Sequence, residues 1–293
     1  MPKSAIFQSN RDKLFGIAYR ITGSVVEAED IVQETFIRWD NAEVKEIKSP
    51  EAWLSTVTTR MSLDVVKSAR VQRQSYIGPW LPEPLIESAQ EPDKKHEIDQ
   101  TVTMALMVLL DQLSVAERAS YILHDLFNYK FQDIADMLKR SEASCRKLAS
   151  RGREKVRFNP SQSMTTSEKH QSLIEAFFKA TRDADDITLK QILSEDVVFH
   201  SDGGGKAAAA THVLTGIDEV IPWFAKVLTP AFSYWQRKKD QRTIEWFNGS
   251  PGLVLWQGNK AISAFSLTID NNVIRQIHVL RNPDKLRLFV RQK

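Results

Sequence analysis

At 293 residues, with 42% hydrophobic and 26% charged residues, the chain has the balance of a globular protein. That length suggests about two domains, three small ones being also possible. No run approaches the ~18 apolar residues of a membrane span. The start, Met1-Pro2-Lys3-Ser4, lacks an apolar signal core, so a cytoplasmic location is expected. One cysteine, Cys145, excludes an internal disulfide, and a net charge of +3 says little about partners.

Residues 5–70 read as helices. Leu14, Ile17, Ala18 and Ile21 recur at helical spacing until Gly23 breaks the pattern. Ser24 with Glu27 forms a capping box that opens a second helix, striped by Ala28, Ile31, Val32, Thr35, Phe36 and Trp39. Its polar face carries Glu27, Asp30, Gln33 and Glu34, acids that also suit a helix N-terminus. After a polar loop, Ser49-Pro50 starts a third helix, whose apolar face is read as Leu54, Val57, Met61 and Val65. It ends in Lys67, Arg70 and Arg73.

Residues 74–97, rich in proline, cannot sustain a helix and read as a linker. Within it, Trp80-Leu81-Pro82-Glu83-Pro84 places two large apolar side chains where no local core exists, so they are expected to dock elsewhere. Helices resume over Glu97 to Arg157, with a second capping box at Ser114 and Glu117. A short helix, Tyr129–Leu138, is followed by a turn at Arg140-Ser141 and a helix bearing Cys145, Leu148, Gly152 and Val156 on one side, which makes a helix-turn-helix. Arg140–Arg157 holds seven basic residues against two acidic ones, a patch suited to phosphate backbones. In this helix Ser144, Arg146 and Lys147 are expected at base edges or backbone, and Arg151 and Arg153 at phosphates.

A polar stretch, 159–167, forms a second linker. Beyond it, two amphipathic helices (Leu173–Ala180 and Val220–Val227) precede strand-like runs at Thr243–Trp246, Leu253–Trp256, Ala261–Ile269 and Val273–Leu280. Asn248-Gly249, Gly258-Asn259 and Asp270-Asn271-Asn272 fall between the runs as turns. An α+β domain with an antiparallel meander is expected. Gly203–Lys206 is no phosphate loop, because Ala207 stands where Ser/Thr is required. The six histidines (His96, His124, His170, His200, His212 and His278) lack ligand spacing, so neither a metal nor a cofactor is expected.

Together these residues resemble the extracytoplasmic-function sigma factors of the sigma-70 family, in the group with a C-terminal SnoaL-like domain. Glu27–Phe36 is similar to the polymerase-binding segment of region 2, Trp53–Asp64 to its promoter-melting segment, and Glu117-Arg118-Ala119 with the helix-turn-helix to region 4. The last part is similar to the cone-shaped SnoaL and ketosteroid isomerase fold. Three stretches sharpen the match: Trp80–Pro84, Asp202–Lys206 and Asn282–Leu286.

The resemblance implies two all-α sigma domains, at 1–73 and 98–158, and a regulatory SnoaL-like domain at 168–293. It implies RNA polymerase core enzyme and promoter DNA as partners, with no membrane and no enzymatic activity. It assigns core binding to Glu27, Asp30, Gln33 and Glu34, and base capture to loop Asn41–Lys48 with Arg60, Lys67 and Arg70. Arg60 departs from the asparagine that many members carry four residues before the aspartate. Trp80, Leu81 and Pro82 are expected to join Asp202, Lys206, Asn282, Pro283 and Asp284 in holding the third domain against the DNA-reading ones. The other reading gives that domain a small apolar ligand to bind or convert. His200, Asp202 and His278 would then stand at a cavity mouth, with Trp223, Trp235, Trp246 and Trp256 as wall.

Overall fold

The computed structural model describes residues 2–43, 47–73, 75–86, 102–156, 167–232 and 241–291, the side chains of 70–73, 167 and 241 excepted. The chain divides into two compact units. One comprises Met1–Ser75 and most of 91–158, the other Tyr76–Gln90 with Asn159–Lys293.

The first unit is helical: α1 (Lys3–Thr22), α2 (Val25–Asn41), α3 (Pro50–Arg73), α4 (Met104–Asp111), α5 (Val115–Tyr121), α6 (Phe131–Leu138) and α7 (Glu142–Val156). Gly23, in the left-handed region at φ 72°, ends α1. The Ser24 side chain accepts from the Glu27 amide, and the Ser114–Glu117 capping box closes in both directions. In α3 the buried face differs from the expected apolar one: Leu54 and Val66 share it with Ser55, Thr58, Thr59 and Ser62. Small hydroxyl side chains fit between closely packed helices, and some bond within or next to the helix. Ser62 donates to the Thr58 carbonyl, and Thr58 shares a hydrogen bond with Thr35 of α2.

The second unit holds α8 (Ser167–Asp183), α9 (Asp186–Ile192), α10 (Ile217–Trp223), a terminal turn α11 (Pro283–Leu286) and six strands: β1 (Leu193–Asp202), β2 (Leu214–Thr215), β3 (Gln241–Phe247), β4 (Ser250–Gln257), β5 (Lys260–Asp270) and β6 (Val273–Leu280). Among the described residues the strand order is β2-β1-β6-β5-β4-β3. β3 to β6 form the expected antiparallel meander, but β1, absent from the sequence expectation, pairs parallel to β6 and makes the sheet mixed. One sheet face packs on the helices around Phe177, Phe199, Phe224, Phe232, Phe265 and Ile277. This is the α+β cone architecture expected of a SnoaL-like domain.

Candidate nucleic-acid interface and the linker seat

The α6–α7 pair is a helix-turn-helix. Lys139, at φ 51°, makes the sharp reversal, and Ser141 caps α7 by accepting from the Ser144 amide. Cys145, Ala149, Gly152 and Val156 are buried, so Arg146, Lys147 and Arg151 project outward. Arg146 lies over the Phe131 ring at 4.8 Å and pairs with Glu142. Arg153 is bound to Asp125 at 2.6 Å, and Lys155 reaches Glu117 at 2.9 Å. That bond, foremost, holds the Glu117 carboxyl down to about 2. Two of the expected phosphate ligands therefore differ: Arg153 is engaged by a carboxylate, whereas Arg151 carries no such partner among the described residues.

On α2, Glu27, Asp30 and Gln33 are exposed and Glu34 is half-buried, bonded to Arg38. Between them stand three apolar side chains that the sequence reading put in the core or passed over: Val26 (37% exposed), Phe36 (37%) and Ile37 (46%). Beside them a shallow groove between α1 and α2 is lined by Phe7, Arg11, Glu29, Val32, Gln33 and Phe36. The exposed face of α2 thus combines apolar side chains with acids.

Arg60 does not stand free. Its guanidinium donates to the Met137 and Asp136 carbonyls at 3.0 and 2.8 Å. Lys67 pairs with Asp64 at 3.0 Å. The Arg70 side chain and residues 44–46 of the expected base-capturing loop lie outside the described residues.

The second site lies within the second unit, where the segment Tyr76–Ile86 is seated. Asp202, fully buried at the end of β1, accepts from the Tyr76 hydroxyl (2.5 Å), the Leu81 amide (2.9 Å), the Gly204 amide (3.0 Å) and the Lys285 ammonium (2.7 Å). Lys285 also donates to the Leu81 carbonyl and lies over the Trp80 ring at 4.3 Å. Leu81 is fully buried, and Pro82 and Pro84 are buried beside it.

Asn282 caps α11 by accepting from the Asp284 amide and donates to the Tyr76 hydroxyl at 3.0 Å, with Pro283 at the first helical position. Gly204 sits at φ 60°, and a Cβ there would stand 2.3 Å from the Asn282 amide nitrogen, which explains the glycine. Lys206 and Asp284 pair at 2.5 Å in the open, a contact of small worth. Further along, Leu85 exchanges hydrogen bonds with Asn248 and Ile86 bridges to Phe247. Tyr76, Asn248 and Lys285 complete the seat. Sequence reasoning missed Tyr76 and Asn248 because their partners lie over a hundred residues away, and it held Lys285 only within the stretch Asn282–Leu286.

Of the residues read as a possible cavity mouth, Asp202 belongs to the seat. His200 and His278 pair across β1 and β6, on the sheet face opposite Phe199 and Ile277. Their rings stack at 5.2 Å, and burial pushes His200 down to about 4. Trp223 packs on Phe199, Trp256 donates to Thr243, Trp246 is 40% exposed, and Trp235 lies outside the described residues.

Residues 6–71 match the family model for Sigma-70 region 2, and residues 103–156 match that for Sigma-70, region 4. The ECF RNA polymerase sigma factor SigJ of Mycobacterium tuberculosis is 37% identical over 218 residues, 73% of this chain and 70% of the relative. The probable ECF RNA polymerase sigma factor SigI of the same species is 30% identical over 287 residues, 97% and 95% of the two chains. The crystal structure of the M. tuberculosis extracytoplasmic function sigma factor SigJ superposes with a TM-score of 0.75 at 30% identity, covering 97% of this chain and 98% of that one. With both sigma regions matched and the likeness running through the third domain, the chain belongs to the ECF RNA polymerase sigma factors.

Proposed function

We propose that this sigma factor reads duplex promoter DNA through Lys147, Arg151 and Arg146 of α7, with Ser144 beside them. It docks on RNA polymerase core through the α2 ridge of Val26, Asp30, Gln33, Phe36 and Ile37, flanked by Glu27 and Glu34. Its C-terminal domain controls it in cis by holding the linker between the sigma regions. The observation that carries the control is the Asp202 carboxylate, buried and satisfied by four donors, two of them from the linker.

The 28 residues 74–101 connect α3 to the first described residue of region 4. Unseated, they span up to roughly 95 Å at full extension. With 76–86 pinned, only the 15 residues 87–101 remain for reach on the far side, roughly 50 Å. The seat thus limits how far region 4 can stray from the C-terminal domain.

We read that domain as a non-catalytic holder. Asp202, its buried carboxylate nearest a base role, is bonded by Tyr76, Leu81, Gly204 and Lys285 instead of facing a substrate, and its helix-facing interior is filled by phenylalanines. Transcription with purified core enzyme tests the whole reading: the full chain is expected to direct initiation, and replacing Asp30 and Gln33 with lysine is expected to weaken core binding with the fold intact. Unchanged core binding by that variant would remove α2 from the interface.

A further inference from the structure

The basic helix α7 carries two acids, Glu142 in its first turn and Glu154 in its last. Glu142 is exposed, with Arg146 and Lys147 exposed one turn along. The Arg146 guanidinium donates to one oxygen of the Glu142 carboxylate. A pair this open adds little to stability. The helix dipole accounts for an acid in the first turn, but not for its holding the arginine of the outward face. Arg146 is fixed on a second side as well. Its guanidinium lies 4.8 Å over the Phe131 ring, and that ring, 9% exposed, stacks with His124 at 3.9 Å. The His124 Nδ1 donates to the Tyr129 carbonyl at 2.9 Å, which orients the imidazole. A long, flexible side chain is thus ordered before any DNA arrives, which lowers the entropy lost on binding.

We propose that Glu142 is a specificity-determining residue: it accepts from a cytosine amine in the major groove near the guanine taken by Arg146, and Phe131 is the positioning residue for that arginine. The inference rests on the reading of duplex DNA by α7. A carboxylate offers only acceptors. Cytosine presents its N4 amine alone, whereas adenine sets an N7 acceptor beside its amine and so disfavours a carboxylate. The bond to Arg146 uses one carboxylate oxygen and one guanidinium nitrogen, leaving an acceptor and further N–H donors for the bases. One helical turn sets the two residues about 6 Å apart along the axis. Against a rise of roughly 3.4 Å per base, this places the cytosine and the guanine one or two steps apart. Near phosphates the same carboxylate repels, so it also weakens binding to duplex that lacks the cytosine.

Base preference is the readout, measured by sequencing the duplexes that the full chain retains from a short randomised DNA library. Wild type is expected to prefer cytosine at one position by about fivefold or more, with a guanine preference close by. Glu142→Ala is expected to become indifferent at the cytosine position and to keep the guanine preference. Glu142→Gln is expected to move that position to adenine, whose N6 and N7 a carboxamide takes together. Phe131→Leu is expected to weaken the guanine preference by about threefold and to leave the cytosine one, because it removes only the ring under Arg146. An unchanged cytosine preference in both Glu142 variants would overturn the assignment. So would a preference flattened at every position by Glu142→Ala, since Glu142 would then be holding the helix instead of reading a base. A guanine preference untouched by Phe131→Leu would overturn the positioning role. Wild-type protein without base preference anywhere would remove DNA reading by α7 itself, so the two readings fail separately.

Discussion

Asp202 spends both carboxylate oxygens inside the protein, and its value lies in what it neutralises. Lys285 is 6% exposed, and its ammonium has the Trp80 ring on one side and this carboxylate on another. Removing one member of a buried pair leaves the other charge uncompensated, at a cost of about 3–5 kcal/mol. Asp202→Ala is therefore expected to lower the urea midpoint by a corresponding amount, and a loss under about 1 kcal/mol would show that the pair is wetter than its burial indicates. At the DNA face the cations divide by their partners. Lys147 and Arg151 project freely from α7, whereas Arg153 is paired with Asp125. Replacing the first two with alanine is expected to flatten the log-affinity against log-salt slope by roughly two, near 0.9 per phosphate contact. Arg153→Ala is expected to change it by much less. Anisotropy titrations over a salt series measure both, and equal slopes for the two variants would reject the division.

At the scale of elements, the seat is a strap clasped by a turn. Trp80 lies in the strap and Lys285 in α11, so a double-mutant cycle of Trp80→Ala and Lys285→Met is expected to show a coupling of about 0.5–2 kcal/mol, the range of a desolvated cation–π contact. Strict additivity would mean that strap and turn are held independently. The strap's location could be half read from sequence. A tryptophan and leucine between prolines announce docking, but nothing local names Asp202 or Lys285 as the receiver. β3 to β6 were legible because alternation is clean and their turns carry residues that tolerate positive φ, Asn248, Gly258, Asn271 and Asn272. β1 was not. Its register with β6 shifts between Leu193 and Val198, and the exposed Glu195-Asp196 pair breaks the alternation there. α3 was legible as a helix but not by face, because its buried serines and threonines read as polar.

Over the whole molecule, three histidines, the buried His278 and the half-buried His170 and His200, set an acid limit. His170 and His200 are each pushed down to about 4 by burial, and His278 is held well below its ordinary value by burial and by the neighbouring His200. All three are neutral in the fold near pH 7 and contribute nothing to pH dependence above about 6.5. Below that, the unfolded chain takes up protons that the fold refuses. Stability is thus lost as pH falls from 6.5 towards 4, at up to about 1.4 kcal/mol per unit per histidine. The Glu117–Lys155 bond adds a further loss between the ordinary glutamate range and about 2. Urea midpoints at pH 7 and 5 check this, and His278→Gln is expected to flatten the dependence. A midpoint that stays level to pH 5 would mean that these rings are reached by water.

The seat's consequence for promoters is geometric. A pinned linker has about half the reach of a free one, so a seated chain tolerates a narrow range of spacing between its two DNA elements, and a released chain a wider one. The most direct measurement is run-off transcription with core polymerase from promoters whose element spacing is varied one base pair at a time. Wild type is compared with Asp202→Asn, in which hydrogen exchange at the Leu81 amide reports release of the strap. A sharp optimum for wild type and a broadened one for Asp202→Asn are predicted. Identical spacing profiles, with the Leu81 amide shown to be exchanging freely in the variant, would contradict control through the seat.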